Sequence, residues 1–260
     1  MAPVYFLQKR VFGCSFAGEI NQYTMGRIFE TRKHKMFARY DKMAKAFTRI
    51  GKDIVMAVKA GGPDPNNNPR LRQIMNNARG LNMPKDRVES AIKRASDKDN
   101  SNYEEIVYEG YGPYGVPILV EAATDNPTRT VANVRLYFNR SGGALGTSGS
   151  LSFVFERKGV FRLDPANVAN PEELELELID AGLESMEVDE TEIILYSAFT
   201  DFGNMQKALE ERNIIVKKAS LERIPNSYAE LNEEQTDEIL ELIEKIEEDD
   251  DVQAVYHNLK

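Results

Sequence analysis

The sequence predicts an α+β multidomain protein: an N-terminal three-helix basic domain followed by two ferredoxin-like α/β domains, one inserted into the other. Three observations carry this expectation. Up to about residue 100, apolar residues recur at helical spacing. After residue 103 the pattern changes to short β-type runs alternating with helical ones. Charge divides at the same point: residues 25–100 hold 18 Lys+Arg and 8 Asp+Glu, a net +10, whereas residues 101–260 hold 13 and 33, a net −20. The whole-chain formal charge of −9, which alone would disfavour a nucleic-acid ligand, averages over this polarity. The expected segments are an extension over residues 1–24, a basic helical domain over 25–100, a discontinuous α/β domain over 103–158 plus 228–260, and an inserted domain over 159–227.

Residues 1–24 contain Lys9 and Arg10 before a short mixed run that includes Gly13, Cys14 and Ser15. That run is too short and too polar for a secretory apolar region. A disordered extension or an upstream start is expected, with Met25 as the functional start. Glu19, the one acid in the segment, would also suit a weak mitochondrial-type presequence. Over residues 38–60, Met43, Phe47, Ile50, Ile54 and Val58 fall on one helix face. Lys42, Lys45, Arg49 and Lys52 recur on the opposite face. Gly61-Gly62-Pro63 stops this helix. Asn68-Pro69 then reads as cap and first residue of a second helix. Asn82-Met83-Pro84 is expected to open a third in the same way, with Pro84 as its first residue. Residues 96–102 are the expected linker.

Beyond the linker, residues 106–108 and 116–122 read as strands across a Gly/Pro turn. Asp125 or Asn126 caps a helix ended by Gly142-Gly143. The Gly/Ser stretch 141–150 has no P-loop lysine and no following helix, so a flexible connector is expected rather than a phosphate loop. Strands follow over 151–155 and 160–163. Residues 160–226 then run β-α-β-β-α-β, with Asn170, Gly182, Asp201 and Pro225 as punctuation. An acidic amphipathic helix over 232–250 and a last strand over 252–256 have no sheet of their own. They are expected to return to the sheet begun at residue 106.

The basic ladder is the main functional signal. Arg32, Lys33, Lys35, Arg39, Lys42, Lys45, Arg49 and Lys52, with Arg70 and Arg72 adjacent, would neutralise phosphates. Asp125, Asn126, Thr128 and Arg129 form a second candidate, an anion or partner contact. Capping explains the Asx residues, but Arg129 opposes the helix dipole at an N-terminal turn. His34 and His257 are the only histidines. There is no metalloprotease motif, nucleophile elbow or paired set of metal ligands, and Cys14 is the single cysteine. No catalytic residue, metal or cofactor is expected. No apolar run approaches the length of a membrane span.

Several runs together resemble the YebC family. They are Met25-Gly26-Arg27 onward to Lys35; Phe47-Thr48-Arg49-Ile50-Gly51-Lys52-Asp53-Ile54; Gly61-Gly62-Pro63-Asp64-Pro65 with Asn68-Pro69-Arg70-Leu71-Arg72; Asn82-Met83-Pro84-Lys85; and Ile92-Lys93-Arg94-Ala95. Further on are Tyr108-Glu109-Gly110-Tyr111-Gly112-Pro113, the stretch EAATDNPTRT over 121–130, and Gly142-Gly143 leading to Gly149-Ser150-Leu151-Ser152-Phe153-Val154-Phe155. The resemblance runs from Met25 to the end of the chain. It implies three domains, one helical and two α/β, with one α/β domain inserted into the other. It also implies a non-catalytic regulator: a DNA-binding transcription factor by the usual description, a translational activator among mitochondrial relatives, or a ribosome-associated factor relieving stalls at proline-rich stretches. Many members open with Met-Ala-Gly-His-Ser-Lys-Trp, which is missing here along with any tryptophan. Contacts made by that opening do not carry over, and Arg32, Lys33 and Lys35 are the nearest substitute.

The expected function is therefore a cytoplasmic gene-expression regulator that binds DNA or ribosomal RNA, on or off the ribosome, with its acidic domains turned to a protein partner. The alternative is a protein-interaction module acting through its acidic α/β domains without direct nucleic-acid binding.

Overall fold

The computed structural model describes residues 22–96 and 103–260, with side chains from residue 41 onward. The chain divides into two compact units, residues 1–43 and residues 44–260. Residues 1–21 and most of the expected linker lie outside the described residues. Helix α1 spans Gln22–Gly61. Its residues up to Met43 fall in the first unit and those from Ala44 in the second. The helix starts well before the expected residue 38, because no proline interrupts residues 22–61. Met25, expected as the start of the working chain, lies inside it.

Helices α2 (Pro69–Gly80) and α3 (Lys85–Ser96) follow. Asn68 fixes the first corner. Its side chain accepts from the Leu71 amide at 3.0 Å and donates to the carbonyls of Ala57 at 2.7 Å and Gly62 at 2.9 Å. One buried amide thus caps α2 and ties it to the end of α1. The second corner corrects the expectation. Asn82 has φ +55 and ends α2, with the Met83 amide donating to the Ala78 carbonyl at 2.9 Å. The helix α3 begins one residue after Pro84, whose carbonyl accepts from the Arg87 and Val88 amides. An asparagine tolerates the left-handed turn, so it acts here as a helix stop. Ile50, Ile54, Leu71, Ile74, Val88 and Ala91 close a core among these helices.

The remaining elements in order are β1 (Glu104–Tyr111), β2 (Pro117–Thr124), α4 (Pro127–Arg140), β3 (Ala144–Leu145), β4 (Phe155–Leu163), α5 (Pro171–Leu178), β5 (Leu183–Val188), β6 (Ile193–Ala198), α6 (Phe202–Glu211), β7 (Val216–Pro225), α7 (Glu233–Glu247) and β8 (Val252–His257). They build two four-stranded antiparallel sheets, ordered β3-β1-β2-β8 and β5-β6-β4-β7. The last strand does return to the first sheet: Val120 of β2 pairs with Val255 of β8. α4 and α7 cover one face of that sheet through Val134, Phe138, Ile239 and Leu242. The second sheet contains the order β-α-β-β-α-β and packs Phe161, Leu163, Ile193 and Leu195 against Leu174, Leu178, Met205 and Leu209. The first sheet differs, because its two central strands β1 and β2 form a direct hairpin.

Two further expectations are corrected. Residues 151–154 are turn, not strand. The Val154 amide donates to the Leu151 carbonyl at 2.9 Å, and Leu151 and Phe155, four apart, are buried with Leu119 on the second face of the first sheet. The Gly/Ser stretch is no loose connector. It includes β3, and the buried carboxylate of Glu109 accepts from the Gly149 amide at 2.9 Å, the Leu151 amide at 2.6 Å and the Ser150 hydroxyl at 3.3 Å. Glycine lets that backbone turn inward around the acid, with Gly149 at φ +87.

Candidate nucleic-acid interface

Arg32, Lys33, Lys35 and Arg39 lie in α1 before the described side chains. Lys42 is exposed and Lys45 partly so. Arg49 is half-buried and donates one guanidinium hydrogen bond to the Glu247 carbonyl at 3.1 Å. Arg72 is exposed on α2. Among the described residues, Lys42, Lys45 and Arg72 have no carboxylate within ion-pair distance.

Lys52 departs from the ladder. It is only 9% exposed. Its ammonium donates to the Ala123 carbonyl at 3.0 Å, the Asp250 carbonyl at 2.7 Å and Asp251 Oδ1 at 2.8 Å. A buried ammonium needs all three donors satisfied, and here they are. The other carboxylate oxygen of Asp251 accepts from Arg129 at 2.7 Å, the Thr130 hydroxyl at 2.9 Å and the Thr124 hydroxyl at 3.1 Å. Burial alone would raise this carboxyl. The hydrogen bonds from Lys52, Arg129 and Thr130 outweigh burial and hold it well below the usual carboxylate range. Lys52 therefore joins α1 to the β2 and β8 ends of the first sheet and has no free charge for a phosphate.

The same node accounts for the second candidate cluster. Asn126 caps α4 by accepting from the Arg129 amide at 3.1 Å. The anion that Arg129 serves is internal: Asp251, and Asp125 at 2.9 Å. Thr128 is exposed and belongs to no described hydrogen bond.

Arg70 is also committed, to Glu105 at the start of β1. Close by, burial pushes the Asp53 carboxyl up to about 7; Arg70 and Arg49 oppose this, and Glu105 and Glu121 reinforce it. On the next face of α2, Gln73 and Asn77 hold the backbone of Ala219 in β7. Their amides donate to its carbonyl at 2.9 and 2.7 Å, and its N–H donates to Asn77 Oδ1 at 2.9 Å. Gly80 lies so near β7 that an added Cβ would sit 2.1 Å from the Lys217 carbonyl oxygen.

The sequence reading missed Arg87 and Tyr103. Arg87 of α3 lies 5.8 Å over the Phe47 ring, and Lys52 lies 5.3 Å over the Tyr103 ring. Both aromatic rings border a groove of about 580 Å³ between α1 and α3. The signal available was the spacing of Arg87, Ser90 and Arg94 on one side of α3. Among the described residues no group of His, Cys, Asp and Glu side chains could hold a metal. No described helix is long and apolar enough to cross a membrane.

Two family models cover nearly all of these elements. The TACO1/YebC protein N-terminal domain matches residues 27–98, and the TACO1/YebC second and third domain matches residues 103–259. A "Probable transcriptional regulatory protein" of Cytophaga hutchinsonii is 62% identical over 235 residues, 90% of this chain and 98% of that protein. One of the same description from Myxococcus xanthus is 54% identical over 240 residues, 90% of this chain and 100% of its own length. The crystal structure of a conserved hypothetical protein from Aquifex aeolicus superposes with a TM-score of 0.75 at 36% identity, covering 84% of this chain and 90% of that one. The chain belongs to the TACO1/YebC family.

Proposed function

We propose that this protein is a non-enzymatic, nucleic-acid-binding regulator of gene expression that grips a phosphate backbone with its N-terminal helical segment. The observation that carries the reading is the +10 balance of residues 25–100 in a chain of net −9; among the described residues, Lys42, Lys45 and Arg72 have no carboxylate within ion-pair distance. Lys45, Arg49 and Arg72 are the contacts proposed within residues 44–260. Arg32, Lys33, Lys35, Arg39 and Lys42 add charge upstream. Lys52 is left out, since its charge is matched inside the fold, and Arg70 would contribute only by exchanging Glu105 for phosphate. The printed names of the relatives support a regulatory role, and DNA or ribosomal RNA in the cytoplasm is the proposed target.

The remaining organisation is proposed with it. Residues 103–158 plus 228–260 form one α/β domain, residues 159–227 an inserted ferredoxin-like one, and both present acidic faces to a protein partner. Phosphate repels such faces, so they turn away from the backbone. Sucrose-gradient sedimentation of cell extract, with and without ribonuclease, separates the targets. Ribonuclease-sensitive co-migration with ribosomes selects RNA; free protein that footprints duplex DNA selects transcription. Failure of the full chain to retain RNA or DNA on a filter at low salt rejects the reading in favour of a protein-interaction module.

A further inference from the structure

We infer that the groove between α1 and α3 receives one unpaired nucleotide of a single strand, its base against Phe47 and Tyr103 and its phosphate at Arg87. This rests on the proposed nucleic-acid reading and adds to it a site that distinguishes a looped or single-stranded target from a duplex.

The groove lies within residues 44–103, is open to solvent along one side, and has a volume of about 580 Å³. That is in the range of pockets for small molecules, about 300–1,000 Å³. Its walls combine two aromatic rings with three cations, Lys52, Arg87 and Arg94, and one acid, Asp86. Lys52 is matched by Asp251, so its contribution is to stiffen the site. Arg87 is exposed and, among the described residues, has no carboxylate within ion-pair distance. A guanidinium that stacks on a ring keeps its N–H edge available for a phosphate oxygen. Thr48 and Ser90 present hydroxyl oxygens along the groove, each donating back to its own helix, Thr48 to Ala44 at 3.0 Å and Ser90 to Asp86 at 2.6 Å. Their lone pairs remain as acceptors for base N–H groups.

The ligand chemistry follows from this mixture. A purely apolar ligand would leave the guanidinium edge of Arg87 unmatched. A bare phosphate would use neither ring. An acidic peptide would satisfy Arg87 but leave the rings without flat partners. A nucleotide supplies a flat π face and an anion a few ångströms apart. Stacking tolerates every base, so the pocket reads strandedness and not sequence. A paired base cannot enter without leaving its own stack.

The test uses the full chain and short single-stranded RNA carrying one 2-aminopurine, whose fluorescence is quenched on stacking. Binding by the unmodified protein and by Tyr103→Phe should quench the probe. Tyr103→Leu, which keeps bulk but not the ring, should leave it bright at saturating protein. Tyr103→Leu and Arg87→Ala should each weaken single-strand binding by roughly 5- to 100-fold, the range of one lost stacked base. Duplex binding should change by less than about twofold. Replacing Lys45 and Arg49 by Ala should weaken both strand types alike. Tyr103→Leu that binds and quenches as the unmodified protein does would overturn the pocket while leaving the backbone reading intact. Binding of neither strand type by the unmodified protein would overturn both. Quenching of free 2-aminopurine ribonucleoside monophosphate at micromolar concentration, or competition by a poly-glutamate peptide as effective as by the strand itself, would replace the single strand with another ligand.

Discussion

Replacing Lys52 by methionine separates the structural ladder residue from its solvent-facing neighbours. The substitution keeps the aliphatic bulk and removes three hydrogen bonds from a buried ammonium, to Ala123, Asp250 and Asp251. Breaking a buried ion pair from one side costs about 3–5 kcal/mol, because the remaining charge stays buried. Asp251 keeps Arg129, Thr124 and Thr130, so the lower end, about 3 kcal/mol, is expected. Urea unfolding followed by far-ultraviolet circular dichroism measures it. The pH dependence is a second readout. The Asp251 carboxyl is held below its ordinary value in the folded chain. Its contribution is therefore complete above about pH 4, the unfolded value, and is lost as pH falls towards the folded one. In Asp251→Asn that part of the acid sensitivity disappears. The Lys52 and Asp251 substitutions should also couple, so that the double variant loses less than the sum of the two. Lys52→Met within about 0.5 kcal/mol of the unmodified chain, a surface-like value, would refute the buried clamp and return Lys52 to the phosphate ladder.

Three other perturbations test the account elsewhere. Asp53→Asn should stabilise the protein at pH 8 by at most about 4 kcal/mol and give no gain near pH 4. The folded carboxyl holds its proton up to about 7, so the unmodified chain loses stability as pH rises from about 4 through 7; thermal melts across that range check it. Gly80→Ala should cost at least about 1–3 kcal/mol by pushing α2 off β7, since the Lys217 carbonyl occupies the space a methyl would need. Hydrogen exchange at the Ala219 amide, held by Asn77, should accelerate with it. Glu109→Gln replaces an acceptor of two amides and a hydroxyl with a group that also donates. About 1–3 kcal/mol should be lost, with selective proteolysis in residues 141–152 as the measure.

Much of the architecture was legible because it depends on local chemistry. Asn68-Pro69, Asn126-Pro127 and Asn170-Pro171 each carry a cap and a helix-opening proline, and each begins a helix with the asparagine accepting from the third amide onward. The division of charge at residue 100 was likewise visible by counting. What escaped depended on partners distant in sequence. Lys52 has the spacing of a solvent-facing cation, and nothing within its own helix reveals that Asp251, 199 residues away, waits for it. Arg129 at a helix N-terminal turn signals an anion, and the anion belongs to the chain itself. Leu151 and Phe155 are apolar and near β-type neighbours, yet their spacing of four is that of a turn. Glu109 reads as an ordinary exposed strand acid until the glycine-rich stretch folds over it.

The central claim is that cations of the helical segment neutralise a phosphate backbone, and the salt dependence of binding tests it most directly. Affinity of the full chain for RNA and for duplex DNA should be measured between 50 and 200 mM KCl. With ~4–6 phosphates neutralised, log affinity should fall against log salt with a slope of about −3 to −5. Replacing Lys45, Arg49 and Arg72 together by Ala should flatten that slope by about 2–3. A slope near zero, or one that the triple substitution does not alter, would contradict the account.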